Sequence, residues 1–237
     1  MQPVFILVRP QLAENVGTAA RAMMNCAIAE MRLVDPDEDP LCSRAIAASS
    51  GADEILRNAK IFKTVEEAVA DLQKVYATTG RPRDMIKPVF TGQGMAKDIQ
   101  NQQSRGVKCG VMFGPERTGL ENEDVAYADA IVNIPLNPKH CSLNLAQAVL
   151  LTGYEIFRLT DSTAEEYLAA PNTVPADKTE LEHLFTHLED ELEQVGYFRS
   201  PEKKPRMMRN LRSIFSRANL TSQDVRTLHG VITDLRR

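Results

Sequence analysis

The 237-residue sequence predicts an α/β domain on a mainly parallel sheet with helices on both faces, followed by a small α-helical extension. Three observations carry this. Short apolar runs alternate with amphipathic segments over residues 3–159. A polar stretch with two prolines follows at 160–177 and reads as a linker. Beyond it only helical periodicity remains. The expected domains are therefore 1–159, a linker at 160–177, and a helical unit at 178–237.

The elements follow in order. PVFILV at 3–8 reads as a buried strand. A helix is expected over 15–27, with Ala20, Met23, Met24 and Ala27 as its apolar stripe. MRLVDP at 31–36 is a second strand ending at a proline, and one helix is expected over about 41–58. After a short strand at 60–62, Thr64 and Glu67 make a capping box. KVYATT at 74–79 is a fourth strand. Residues 80–92 hold two prolines and two glycines and read as a long loop. A helix at about 94–104, a strand at 108–113, a short helix near 121–127 and a strand at 130–134 complete the pattern before a long helix from Ser142 to Leu159. In the extension, Leu181, Leu184, Phe185, Leu188, Leu192 and Val195 give one helix, with Thr179 and Glu182 expected as its cap and Gly196 as its end. A basic helix at about 205–218 and a last helix at about 222–236, boxed by Thr221 and Asp224, follow.

The N-terminus enters its first strand without a basic leader or cleavage site, which predicts a cytoplasmic protein. No run of about eighteen apolar residues occurs, so no membrane span is expected. Cys26, Cys42, Cys109 and Cys141 are scattered without a CxxC pair and read as free, mostly buried thiols. Net charge is −4, unfavourable for a nucleic-acid binder as a whole. Its distribution is uneven. Arg199, Lys203, Lys204, Arg206, Arg209, Arg212 and Arg217 face only Glu202 within 199–217, a local +6 that leaves −10 elsewhere. That stretch keeps RNA open, although it can also pair with the acidic helix at 177–193.

The chemistry concentrates where strands exit into polar loops. VMFGPERTGL at 111–120 leaves a strand through a Gly-Pro turn, and VNIPLNPKHCSLNLAQAV at 132–149 leaves another through Pro135 and Pro138. ENVGTAARAMMN lies upstream at 14–25. In this order and at this spacing the three segments resemble the motifs of the SPOUT-class (TrmH-like) RNA 2′-O-ribose methyltransferases. Within them the chain is most similar to the TrmJ-type tRNA methyltransferases, through YATTGRPR at 76–83 and the helical extension.

The resemblance implies S-adenosylmethionine as methyl donor, no metal, tRNA as substrate, and anticodon-loop nucleotide 32 (cytidine or uridine) as target. It also implies a C-terminal trefoil knot within the sheet domain and a homodimer through the knot region. Residues 146–157, apolar nearly all round, agree with burial on both sides. Carried over position by position, Thr78, Thr79, Gly80, Gly114, Ile134, Cys141, Ser142 and Leu143 are the expected donor-binding residues. Arg21, Asn15, Glu116 and Asn144 are the expected catalytic set. Gly114 would allow close backbone approach, and Ser142 would also serve as a helix N-cap. A guanidinium is a poor free base, so Arg21 suits a phosphate beside the target ribose. Asn15 either positions Arg21 or the ribose, or caps its helix; Glu116 either fixes Arg21 or accepts from substrate. Arg81, Arg83 and Lys87 on the 80–92 loop, with Arg206 and Arg209 on the basic helix, are expected phosphate contacts. Two departures matter: Pro115 stands where relatives often carry a basic residue, and Cys141 stands where they have serine.

Rival classes are weaker. No GxGxxG follows the first strand and no P-loop occurs, which removes the dinucleotide-binding and NTPase patterns. His183, His187 and Glu191 share a helix face that reads as solvated rather than metal-binding. A ribosomal RNA substrate, or a catalytically silent RNA binder on the same fold, are the alternatives.

Overall fold

The computed structural model describes residues 2–81, 85–165 and 173–235. Two compact units divide the chain, Met1–Thr163 and Ala164–Arg237.

The first unit is a seven-stranded sheet. Its strands are β1 (Val4–Val8), β2 (Met31–Val34), β3 (Lys60–Phe62), β4 (Lys74–Thr78), β5 (Val89–Phe90), β6 (Cys109–Phe113) and β7 (Ala130–Val132). They lie in the order β3-β2-β1-β6-β4-β7-β5, and every pairing is parallel. Parallel strands need covering on both faces, and the pleat does this by residue parity. Phe5 and Leu7 point into one core with α1 (Ala13–Asn25), α2 (Ser43–Ser49), α3 (Asp53–Arg57), α5 (Gly92–Ser104) and α7 (Leu145–Phe157). Val4, Ile6 and Val8 point into the other with α4 (Val65–Val69) and α6 (Asn122–Ala126).

Several boundaries differ from the sequence pattern. The single helix expected over 41–58 is two helices, broken where Ser50 (φ 49°) and Gly51 (φ 94°) turn left-handed. The 80–92 loop contains β5: the carbonyls of Pro88, just before it, and Phe90, its last residue, accept from the Ile131 and Asn133 N–H groups. Lys87 is not a free phosphate contact: its Nζ donates to the Ala126 and Ala128 carbonyls and pins this loop to the end of α6. The last helix of the unit starts at Leu145, with Asn144 rather than Ser142 as its N-cap. α1 is led by Leu12, so Asn15 is not its cap. Cys26 and Cys109 are buried, but Cys42 is half-buried and Cys141 exposed. On α7, Leu150, Leu151 and Tyr154 remain 41%, 38% and 51% exposed, so in the single chain this helix is covered on one side only.

The second unit contains α8 (Lys178–Gln194), α9 (Lys204–Arg217) and α10 (Ser222–Asp234) around Leu181, Leu184, Phe185 and Val225. Asp177 and Glu180 form the box that starts α8, in place of the expected Thr179 and Glu182. Part of the basic stripe is used internally. Arg212 binds Glu182 through both nitrogens at 2.5 and 2.6 Å, and Lys204 reaches Glu189 (3.1 Å) and Glu193 (2.7 Å). His187 does not face solvent alone: it stacks on His229 with Nδ1 atoms 2.7 Å apart. No described helix is long and apolar enough to cross a membrane.

Candidate active site

Ligands of parallel α/β sheets bind beyond the carboxyl ends of the strands, and the site lies there. β4, β6 and β7 end side by side at Thr78, Phe113 and Val132. The loops that leave them enclose a pocket of about 470 Å³, inside the range of small-ligand sites. All eight residues expected to hold the donor line it: Thr78, Thr79, Gly80, Gly114, Ile134, Cys141, Ser142 and Leu143. Arg81 and Glu116 line it too, and Arg117 stands beside them. Sequence reasoning missed Leu136, Leu145 and Ala148. The signal for the last two was available: they are three apart at the start of a helix whose loop was already implicated.

Each loop is shaped locally. The Thr78 hydroxyl donates to the Met112 carbonyl at 2.8 Å and locks the end of β4 against β6. Thr79 Oγ1 accepts from the Arg81 N–H at 3.2 Å, closing a tight turn around Gly80. A Cβ on Gly80 would meet nothing nearer than the Cys141 carbonyl at 3.9 Å, so this wall is open. Gly114 is different. A Cβ there would lie 2.1 Å from the Leu120 nitrogen, so the close approach it permits is to its own loop. Gly119 completes that loop at φ +69°. Arg9, just after β1, supports it by pairing with Asp124 at 2.5 Å, a bond that raises its pKa further.

Three of the four expected catalytic residues meet at the pocket rim. Asn15 Nδ2 donates to Glu116 Oε1 at 2.6 Å, and the Gln11 N–H donates to Glu116 Oε2 at 3.0 Å. Asn144 Nδ2 donates to Asn15 Oδ1 at 3.0 Å. Glu116 therefore holds Asn15, not Arg21. Arg21 is exposed, outside the pocket lining, and has no hydrogen bond or ion pair among the described residues. The cause is helical geometry: six residues rotate about 600°, leaving Arg21 roughly a third of a turn off the Asn15 face. Arg206 and Arg209 are exposed on α9 without an ion pair among the described residues, whereas Arg83 lies outside them.

A parallel sheet with a pocket of this kind at three strand ends defines an α/β protein with a small-ligand site. Comparison with known proteins makes this specific. Residues 2–154 match the SpoU rRNA methylase family, and residues 179–237 match the C-terminal domain of tRNA methyltransferase TrmJ. A tRNA (cytidine/uridine/adenosine-2′-O-)-methyltransferase TrmJ from Pseudomonas aeruginosa is 32% identical, covering 97% of this chain and 91% of its own. The crystal structure of TrmJ from Z. mobilis ZM4 superposes with a TM-score of 0.85 at 43% identity, covering both chains fully. An AdoMet-bound rRNA methyltransferase from Sinorhizobium meliloti shares the fold at 22% identity and a TM-score of 0.54, covering 68% of this chain and 57% of its own. The chain belongs to the SpoU methylase family, and its C-terminal residues carry the domain that marks the TrmJ branch.

Proposed function

We propose that this protein transfers a methyl group from S-adenosylmethionine to the ribose 2′-hydroxyl of a tRNA, at anticodon-loop nucleotide 32 carrying cytidine or uridine. One observation carries the reading: Asn15, Glu116 and Asn144, drawn from three separate motifs, are hydrogen-bonded together at the edge of a pocket walled by the second and third. The names of the curated TrmJ relatives, tRNA 2′-O-methyltransferases, support tRNA and the 2′-oxygen.

The pocket fits the donor. Its volume suits a ligand of that size, its Ile134, Leu136 and Leu143 walls suit an adenine ring, and the open wall at Gly80 leaves room beside the Cys141 carbonyl. When bound, S-adenosylmethionine supplies a methyl already activated on a cationic sulfur, so metal assistance is not required. The protein's task is alignment of the acceptor hydroxyl for in-line attack. Asn15, held by Glu116, and Asn144, bonded to Asn15, each keep a second amide hydrogen with no acceptor among the described residues, available to an oxygen of the target nucleotide. Arg21 and Arg81 take phosphates near the target, and Arg206 and Arg209 take tRNA backbone. The exposed Leu150, Leu151 and Tyr154 face of α7 is covered by a second copy, in the knot-region homodimer of the family.

Methyl transfer from labelled S-adenosylmethionine to total tRNA and to ribosomal RNA, with wild type and Arg21→Ala, tests this. Label enters tRNA and is lost in Arg21→Ala. Label in ribosomal RNA alone refutes the substrate.

A further inference from the structure

The hydrogen bonds around Asn144 have a fixed polarity. Its Oδ1 accepts from the Ala146 N–H at 2.8 Å, and a backbone N–H can only donate. The other amide atom must then be Nδ2, which faces Asn15 at 3.0 Å. Asn15 must answer with Oδ1, leaving its own Nδ2 for Glu116 at 2.6 Å, an acceptor-only carboxylate when ionised. Both ends therefore dictate the same orientation for two side-chain amides. The second oxygen of Glu116 is held by the Gln11 N–H. Each Glu116 oxygen thus has a protein donor, and the carboxylate acts as an anchor for the amides.

The origin of this chain of bonds lies one step further back. Gln147 folds its side chain onto the start of its own helix, and its Oε1 accepts from the Asn144 N–H at 3.1 Å. The Asn144 side chain accepts from the Gln147 backbone in return, completing a capping box. Gln147 does not line the pocket, its side-chain hydrogen bond among the described residues goes to Asn144, and the residue is exposed.

We propose that Gln147 is a positioning residue for methyl transfer, acting through Asn144 and Asn15. This rests on the function proposed above. With Gln147 in place, the cap residue is held from both its backbone and its side chain, so the donor it offers Asn15 is fixed in position. Without the Gln147 oxygen, the Asn144 backbone N–H loses its partner while the side chain keeps its bonds to the backbone N–H groups of Ala146 and Gln147. The cap loosens, and the bond it makes to Asn15 shifts with it. Misplacement of that kind degrades alignment in the transition state while leaving ground-state binding intact.

The test uses the full-length protein with two variants. Gln147→Glu keeps an acceptor at the same reach and retains the box; Gln147→Met keeps the length and removes the acceptor. Expected for Gln147→Met is a fall in kcat of roughly tenfold or more, with KM for S-adenosylmethionine and tRNA within about twofold; Gln147→Glu stays within about threefold throughout. In parallel, the side-chain amide resonances of Asn15 and Asn144 shift in Gln147→Met and hold in Gln147→Glu. Wild-type kcat in Gln147→Met overturns the proposal. So does an equal loss of kcat in both variants, which marks a merely structural residue. A wild-type protein that methylates no tRNA fails the underlying function instead, and the amide resonances then still report whether Gln147 orients the pair.

Discussion

Gly114→Ala is the sharpest perturbation the pocket offers. The added methyl would sit 2.1 Å from the Leu120 nitrogen, 2.4 Å from the Gly119 carbonyl carbon and 2.9 Å from the Gly119 Cα. All three are backbone atoms, so no rotamer change relieves the contact. The loop must open, and Glu116 moves with it. Overpacking of a tight site costs about 1–3 kcal/mol, and a rigid backbone neighbour places this case near 3. In a unit of this size that lowers Tm by roughly 6–12 °C. Displacing one wall of the pocket should also weaken S-adenosylmethionine by about tenfold, equivalent to roughly 1.4 kcal/mol. Gly80→Ala is the control. Its methyl meets only the Cys141 carbonyl at 3.9 Å, so the fold tolerates it while the methyl narrows the pocket. Calorimetry measures both quantities: thermal unfolding for Tm and titration for donor affinity. Wild-type Tm and affinity in Gly114→Ala, or a Tm loss in Gly80→Ala as large as in Gly114→Ala, would refute the reasoning.

Other consequences follow from the same geometry. Asn15→Asp places a second carboxylate against Glu116 where the amide now donates at 2.6 Å, so it should destabilise near neutral pH and abolish transfer, whereas Asn15→Ser should impair transfer with a smaller change in Tm. Arg206→Ala with Arg209→Ala should leave Tm unchanged, weaken tRNA binding and lower the salt slope of binding by roughly 1–2; an unchanged slope places tRNA elsewhere. The Asp71 carboxyl is held well below the usual carboxylate range by its hydrogen bonds from Arg32, assisted by Lys108. A depressed folded pKa contributes stability above the unfolded value of about 3.9 and loses it as pH falls. Asp71→Asn should therefore be less stable than wild type at pH 7, with the gap closing in acid; a constant gap in Tm across pH contradicts this. Burial pushes the Cys109 thiol up to about 11, so a thiol reagent near neutral pH should label exposed Cys141 first, and S-adenosylmethionine should slow that labelling.

The sheet was legible because its strands are short apolar runs between helices, and periodicity reads such runs well. β5 was not, because two residues behind Pro88 carry no periodicity and become a strand only through bonds to β7, far away in sequence. The choice between Ser142 and Asn144 as cap was legible in principle. Both are good capping types, but only Asn144 has a glutamine three residues on, and Gln147 closes the box. Asp177 and Thr179 pose the same choice, each with a glutamate at the right spacing, and local pattern alone does not decide between them. The pocket wall was legible as a set of motif loops because strand ends fix where loops go. The pairing inside the site was not: that Glu116 takes Asn15 rather than Arg21 depends on the rotation of α1 against the motif-two loop. The divided use of α9, with Arg212 and Lys204 held by α8 while Arg206 and Arg209 make no ion pair among the described residues, likewise depends on packing between helices.

The most direct measurement is alkaline hydrolysis of a single tRNA after incubation with the protein and S-adenosylmethionine. A 2′-O-methyl group removes the nucleophile that cleaves the adjoining phosphodiester, so a modified nucleotide leaves a gap in the ladder. The predicted result is one gap, after a cytidine or uridine at nucleotide 32, dependent on the donor and absent with Arg21→Ala. A complete ladder, with methyl label recovered on a base or not at all, would contradict ribose methylation at this site.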